Sequence, residues 1–230
     1  MKGMLAHFPN GNQARMARAG DLAQLDQVVS ELGLPTPAPV LVLIGGAGLM
    51  DDEDARIGEK ALETIAEAIE EENGLIVDGG TDSGIMALIG RIRQRRGFGF
   101  PLVGVTVENK VSWPGDSRGG ERHRLEFHHS HFILTPGTLF GDESSYIDRL
   151  ASLASGRQPS LTVLYNGGPI AREEVGISLA AERPVLVLAG TGRLADELAA
   201  KPPDSELVTA VRVADYDRLK LTIRTMISRR

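Results

Sequence analysis

The chain has no cysteine among its 230 residues, and only 4% of them are aromatic. Without cysteine there can be no disulfide scaffold, iron–sulfur cluster or thiolate zinc site. The shortage of aromatic side chains predicts a core that consists mainly of aliphatic residues. Acidic residues outnumber basic ones, for a net charge of −6. This balance argues against a general affinity for nucleic acid or for anionic membranes.

Long apolar stretches are absent as well. No apolar run reaches the roughly 18 residues that a membrane-spanning helix needs. The first residues, Met1 to Asn12, lack the apolar centre of a signal peptide. We therefore expect a cytoplasmic protein without membrane insertion. Glycine is plentiful, with 27 residues, and it occurs in short clusters that bear on function.

Apolar runs of strand length alternate with helical patterns along most of the chain. The runs are continuously apolar, which is typical of strands that are buried on both faces of a parallel sheet. They occupy residues 39–44, 75–77, 102–107, 132–134, 161–165, 185–189 and 208–213. Helical patterns occupy residues 57–69, 83–95, 142–154, 170–181, 193–200 and 216–227. This alternation predicts an α/β fold, a Rossmann-like, doubly wound and mainly parallel sheet of about six to seven strands with helices on both faces.

The first 38 residues differ from the remainder of the chain. They hold one helical pattern, residues 20–32, and lead into the first strand through the proline-rich stretch Pro35 to Pro39. Phe8 to Asn12 has the composition of a turn. No linker or internal repeat follows. We predict a single domain over residues 1–230, with residues 1–38 as an extension whose one helix packs on it.

Glycine clusters follow three predicted strands, at the edge where a doubly wound sheet binds ligands. They are Gly45 to Gly48, Gly79 to Gly84, and Gly190 to Gly192 followed by Arg193. Glycine lets the backbone approach a ligand, and the N–H groups of a helix start attract anions. The second and third clusters each open a helix, and the Arg193 guanidinium suits phosphate. Two such corners predict a ligand with two anionic groups, such as a diphosphate, although glycine at these positions can also serve the turn alone.

A histidine-rich segment precedes the fourth strand. His129 and His131 would share one face of an extended segment, and with Glu126 or His123 they offer nitrogen and oxygen ligands for a metal ion. No other clustered set of ligands accompanies them. We therefore predict no metal site and interpret the histidines as a polar wall of the ligand pocket.

Four motifs occur in an order and spacing that resemble a known family. They are Gly79 to Gly84, His129 to Leu134, Tyr165 to Pro169, and Gly190 to Asp196. Together they are similar to the LSDAT family of the SLOG superfamily, which occurs at the cytoplasmic N-terminus of TRPM ion channels and as stand-alone prokaryotic proteins. The resemblance implies a Rossmann-like domain that binds or senses a nucleotide-derived ligand, such as ADP-ribose or an NAD-derived diphosphate nucleotide, without turnover.

The clusters and the resemblance together define the candidate ligand-binding residues. These are Gly45, Gly46, Gly80, Thr81, Asp82, Ser83, Gly84, Ser130, His131, Gly137, Thr138, Gly167, Gly168, Gly190, Thr191, Gly192 and Arg193. We expect the phosphates at the second cluster and Arg193, the base against an apolar wall, and a ribose hydroxyl at Asp82 or Glu143. No cofactor beyond this ligand is expected. Because related SLOG proteins commonly associate, we expect a homodimer or a higher homo-oligomer, and the effector protein is unidentified.

LOG-type phosphoribohydrolases of the same superfamily supply an alternative function. They cleave the N-glycosidic bond of nucleoside monophosphates, and their signature is Pro-Gly-Gly-x-Gly-Thr followed by two residues and a catalytic Glu. This chain has Pro136 to Glu143 at that place, with Thr138 in the position of the second glycine. Neither Asp142 nor Glu143 falls in the register of the catalytic Glu, yet both are catalytic candidates for such a hydrolase. A scaffold domain with a vestigial pocket is the third hypothesis.

Overall fold

A nine-stranded sheet runs through the molecule. The computed structural model describes residues 3–46 and 52–228, without the side chains of residues 52–55. The strands of the sheet are β1 (Met4–His7), β2 (Gln13–Arg18), β3 (Val40–Gly45), β4 (Leu75–Asp78), β5 (Leu102–Val107), β8 (His131–Thr135), β9 (Ser160–Tyr165), β10 (Val185–Ala189) and β11 (Val208–Arg212). Two short strands, β6 (Val111–Ser112) and β7 (His123–Arg124), pair separately.

The strand order is β1-β2-β8-β5-β4-β3-β9-β10-β11. Every pair in this sheet is parallel except β1 with β2. The chain moves from β3 to β4 and β5 on one side, and later returns to place β9 on the other side of β3. The crevice between β3 and β9 is therefore the point where the winding direction reverses, which is where such sheets bind ligands.

Seven helices among the described residues cover both faces of the sheet. They are α1 (Leu25–Leu32), α2 (Asp52–Glu71), α3 (Gly84–Arg96), α4 (Ser144–Ser155), α5 (Pro169–Ala180), α6 (Arg193–Ala200) and α7 (Tyr216–Ile227). Helices α1, α4, α5 and α6 pack on one face, and α2, α3 and α7 pack on the other. In β3, Val42 and Ile44 enter the first core while Leu41 and Leu43 enter the second, which explains the continuous apolar run. The predicted fold class is confirmed.

The sheet is larger than predicted because the N-terminal extension contributes β1 and β2. They form an antiparallel hairpin around the Phe8 to Asn12 turn, and β2 then pairs with β8. Ala14 and Met16 are buried on one face of β2 and Ala17 is buried on the other, while Gln13 and Arg15 are exposed. Its short alternation of apolar and polar residues differs from the continuous runs by which the other strands were predicted. No described helix has both the length and the apolar character that crossing a bilayer requires.

A buried ionic cluster joins the ligand edge of the sheet to the segment before β8. The His129 ring has no exposed surface, and its two nitrogens donate to Asp78 Oδ1 and Glu126 Oε2, each at 2.8 Å. Burial alone would lower the pKa of His129, but the carboxylates, with Asp78 foremost, raise it to about 9. The ring is therefore a cation at neutral pH, and it stacks on Phe132 with 5.3 Å between ring centroids.

The carboxylates of this cluster also hold backbone groups. Asp78 ends β4 and accepts the Gly80 N–H at 2.7 Å, which shapes the glycine loop that follows the strand. Glu126 accepts the His128 N–H at 2.8 Å. Burial would raise the pKa of Glu126, but the hydrogen bonds from His129 and His128 outweigh it and lower this pKa. Gly90 on α3 lies against the Glu126 carboxylate, so that an added Cβ would overlap it.

Gly90→Ala should therefore destabilise the protein by about 1–3 kcal/mol, because the new methyl group displaces a buried, hydrogen-bonded carboxylate. Alanine normally stabilises a helix interior by about 0.5–1 kcal/mol relative to glycine. The measurement is urea unfolding at neutral pH. Gly176→Ala on α5 is the matched control, because no atom lies within 4 Å of the added Cβ. Equal effects of the two substitutions would contradict the proposed steric role of Gly90.

Candidate functional site

A cavity of about 280 Å³ lies at the carboxyl edge of the sheet, beside the crevice between β3 and β9. The loops after β3, β4, β8 and β9, together with the start of α6, supply its walls. They contribute Gly46, Thr81, Phe140, Gly168 and Arg193. Its volume is near the lower end of the usual range for small-molecule sites, about 300–1,000 Å³. Of the first predicted cluster, Gly45 and Gly46 line the cavity, while Ala47 and Gly48 lie outside the described residues.

The start of α3 forms one wall of this cavity. Ser83 occupies the N-cap position, but its side chain makes no capping hydrogen bond and instead pairs with Thr81 Oγ1 at 2.8 Å. Among the described residues, no side chain therefore caps the first N–H groups of α3, which begins at Gly84, as an anion site requires. Gly80 adopts a φ of +69° and packs against Gly104, so it shapes the loop from behind. Asp82 is exposed and does not line the cavity.

The start of α5 forms the opposite wall. Gly168 is the N-cap residue and has no side chain to cap the helix, and Pro169 occupies the first turn. Both residues line the cavity. Gly167 serves the turn itself, because its φ is +98° and an added Cβ would come within 3.0 Å of Ala171. Two uncapped helix starts thus face one cavity.

The glycine corner at the start of α6 is closed by the chain itself. The N–H groups of Gly190 and Gly192 donate to the Asp196 carboxylate, at 2.6 and 3.2 Å. Thr191 Oγ1 accepts the Asn166 N–H and donates to the Leu188 carbonyl. The start of α6 therefore holds an internal carboxylate, and among the described helices the start of α5 is the second one at this sheet edge that lines the cavity without a side-chain cap.

Arg193 is the one residue of that corner that lines the cavity. Its guanidinium lies close enough to Gly168 that an added Cβ there would come within 2.7 Å of Nη2. It forms no hydrogen bond or ion pair with any described residue. The side chain is therefore a cation available to a ligand beside the α5 helix start.

Several predicted residues lie away from the cavity. His131 begins β8 and Ser130 directly precedes it, so both lie at the amino edge of the sheet, where Ser130 Oγ accepts the Leu102 N–H at 3.0 Å. Burial and the nearby Arg15 and Arg93 guanidinium groups lower the pKa of His131 to about 4. The described part of the chain contains no group of three metal ligands. From the histidine-rich region, His123 does line the cavity, and its ring lies edge-on to Phe140 at 5.2 Å.

The two catalytic candidates, Asp142 and Glu143, lie in the loop after β8 but differ in their surroundings. Asp142 is exposed, and its carboxylate accepts the N–H groups of Thr138 and Leu139 at 2.7 and 3.0 Å, which lower its pKa. Gly137 and Thr138 do not line the cavity. Glu143, by contrast, is only 6% exposed and lines it, and burial raises its pKa. Asp142 holds the loop, and Glu143 faces the cavity.

Glu174 is a second carboxylate in the cavity, and the sequence reasoning missed it. It lies on α5 and accepts a hydrogen bond from Ser144 Oγ at 3.2 Å. Burial and then the neighbouring Glu143 carboxylate raise the pKa of Glu174 to about 7. The sequence did contain a signal, because Glu174 falls at helical spacing with the buried Ala171 and Ser178. An acidic residue within an apolar helical stripe is an indication of function.

The chain is similar to known proteins in sequence and in fold. A model of the prokaryotic LSDAT family, described as SLOG in TRPM, prokaryote, matches residues 38–226. An X-ray structure of TM1055, a structural genomics target, has a TM-score of 0.54 and 19% identity, over 80% of this chain and 99% of that one. The molybdenum cofactor carrier protein MCP from Chlamydomonas reinhardtii has a TM-score of 0.54 and 15% identity, over 82% and 98%. These two likenesses show the fold alone. No curated protein matches the chain.

Glu174→Gln should make stability less dependent on pH. Between the ordinary glutamate pKa of 4.5 and the folded-state value of about 7, the folded protein keeps a proton that the unfolded chain has lost. The stabilising contribution of Glu174 is therefore present at low pH and declines as the pH rises through 7. Above pH 7 the variant should be the more stable protein, with about 2–4 °C in Tm for each kcal/mol gained.

The measurement is Tm from pH 5 to pH 8.5 for both proteins. Glu173→Gln is the control, because Glu173 is exposed beside Glu174 and the substitution removes the same formal charge. Its Tm should retain most of the pH dependence of the wild type, because Glu173 makes the smallest of the contributions that raise the pKa of Glu174. A wild-type profile that runs parallel to that of Glu174→Gln would refute the raised pKa.

Proposed function

The chain belongs to the family of prokaryotic SLOG domains related to TRPM, and we propose that it binds a nucleotide-derived ligand with a diphosphate group, without turnover. ADP-ribose and NAD-derived nucleotides are the ligands of this class that we put forward. The observation that carries the proposal is the convergence of two uncapped helix starts and an unpaired arginine on one cavity. Helix starts and guanidinium groups are the elements by which proteins bind phosphate.

Different walls of the cavity suit different parts of the proposed ligand. The phosphates would lie between the starts of α3 and α5, with Arg193 completing their coordination. Met86, Phe140 and Ile170 provide an apolar wall for the base. The net charge of −6 does not oppose this mode of binding, because one small anion needs only a local positive potential.

We further propose that residues 1–230 act as one ligand-binding domain in the cytoplasm, with no resident cofactor. A homodimer or a higher homo-oligomer, and an effector protein that responds to the bound ligand, belong to the same proposal. Light scattering of the purified protein, with and without ADP-ribose, measures the oligomeric state.

ADP-ribose should raise the Tm of the wild type, because a ligand at 100 times its Kd stabilises the folded state by about 2.7 kcal/mol. Arg193→Ala should weaken binding about 10- to 100-fold, as expected for the loss of charge-assisted hydrogen bonds. Arg149→Ala is the matched control, since Arg149 is an exposed cation on α4 that pairs with Asp26. A wild-type Tm that is unchanged by ADP-ribose, NAD, ADP and pyrophosphate would contradict the proposal.

The alternative is a LOG-like N-glycosidic hydrolase, and the position of Glu143 in the cavity favours it among enzyme functions. A carboxyl group with a raised pKa can protonate a leaving base or activate water. We expect AMP, NAD and ADP-ribose to remain intact after long incubation at high protein concentration, as judged by chromatography. Release of free base or nicotinamide that Glu143→Gln abolishes would establish the hydrolase instead.

A further inference from the structure

We propose that Glu143 and Glu174 form a carboxyl pair that selects a ligand with an intact ribose, by hydrogen bonds to its 2′- and 3′-hydroxyl groups. This assignment rests on the proposed function, because it identifies the sugar subsite of the same cavity. It adds Glu174 to the site and gives the ligand a direction, with the phosphates at Arg193 and the sugar at the pair.

Backbone and hydroxyl groups hold each carboxylate of the pair, and no other described side chain competes for its remaining hydrogen-bonding capacity. Glu143 Oε2 accepts the Gly141 N–H at 2.9 Å, and the carboxylate also accepts from its own backbone N–H, while no side chain of the described residues donates to it. Glu174 Oε1 accepts from Ser144 Oγ at 3.2 Å, and Oε2 likewise has no partner in the described part of the chain. Both side chains line the cavity.

The start of α4 brings the two groups together. Glu143 is its N-cap residue, and Ser144, the first residue of the helix, donates to Glu174 across the contact between α4 and α5. Glu143 is only 6% exposed, and the surface that remains exposed lies at the cavity that both carboxylates line. A carboxylate oxygen that faces the cavity can accept a hydrogen bond from a ligand hydroxyl in place of water.

The charges around the pair exclude a phosphate from this end of the cavity. Neither carboxylate forms an ion pair with a cation of the described chain, and Glu173 adds a further negative charge beside Glu174. Burial raises the pKa of both groups, and the Glu143 carboxylate further raises that of Glu174, to about 7, so Glu174 is partly protonated near neutral pH. The pair therefore presents acceptors together with a donor, which matches the hydroxyl groups of a vicinal diol.

Carboxylates hydrogen-bond ribose hydroxyls in other doubly wound folds, so the chemistry suits this position in the sheet. A site built to hydrogen-bond a hydroxyl group rejects an analogue that lacks it, because the partner on the protein is left unpaired. A loss of one such hydrogen bond corresponds to about 10- to 100-fold in affinity.

The test uses ADP, 2′-deoxy-ADP, 3′-deoxy-ADP and pyrophosphate as probes, with Kd measured by calorimetry. The wild type should bind ADP at least about 10-fold more tightly than either deoxy analogue. Glu174→Gln keeps the shape of the side chain and should bring these ratios close to one. Pyrophosphate should bind to this variant at least as tightly as to the wild type, because the substitution removes a negative charge from the cavity. Glu173→Gln removes the same charge from the exposed neighbour and should retain the wild-type ratios.

Two results would overturn the sugar subsite while leaving the anion site intact. One is equal affinity of the wild type for ADP and both deoxy analogues, with pyrophosphate still bound. The other is a Glu174→Gln variant that keeps the full wild-type ratios. If the wild type binds neither pyrophosphate nor any of the nucleotides, the proposed function fails together with this assignment.

Discussion

A protonated imidazole between two buried carboxylates joins the segments that build the ligand edge of this fold. His129 bridges Asp78, at the end of β4, and Glu126, which precedes β8. Without the cation, two like charges would be buried close together, which is strongly unfavourable. With it, Asp78 can accept the Gly80 N–H and fix the path of the glycine loop that leads to α3. The position of the α3 start in the cavity thus depends on a contact made behind the loop.

At each of the three helix starts near the cavity, one residue determines whether the first N–H groups are capped. At α6, Asp196 occupies the N–H groups of Gly190 and Gly192 and so neutralises the corner internally. At α3, the Ser83 hydroxyl pairs with Thr81 and leaves the helix start open. At α5, Gly168 has no side chain that can act as a cap. The same strand-glycine-helix geometry therefore gives two corners that are open to the cavity and one whose N–H groups are satisfied by the chain itself.

The sequence predicted the elements well where periodicity decides, because strands buried on both faces are continuously apolar and the helices are amphipathic. It did not predict β1 and β2, whose short alternation is a weaker signal. Ser130 and His131 were predicted to bind the ligand, but the structure places them at the start of β8, at the sheet edge opposite the cavity.

Side-chain partners were the hardest part to predict from the sequence. Asp78 and His129 are separated by 51 positions, so their contact exists only in the folded sheet. The closure of the α6 corner likewise depends on how the Asp196 side chain folds back over its own helix start. Glu174 appears in the helical stripe of α5, but its proximity to Glu143 follows from the packing of α5 against α4. Periodicity in the sequence identifies the buried face of each helix or strand. The site depends on which of these faces pack against each other, and periodicity does not show that.

Helix α5 contributes to both ends of the cavity, which differ in charge. Its start, at Gly168, lies at the cavity beside the Arg193 guanidinium and has no side-chain cap among the described residues, while Glu174 lines the same cavity further along the helix. At 1.5 Å per residue these two positions are about 9 Å apart along the axis. A ligand that satisfies both ends must carry an anionic group and hydrogen-bond donors on one rigid frame. A bare phosphate satisfies only the first end and an uncharged sugar only the second, so the arrangement favours a molecule in which phosphate and sugar are joined.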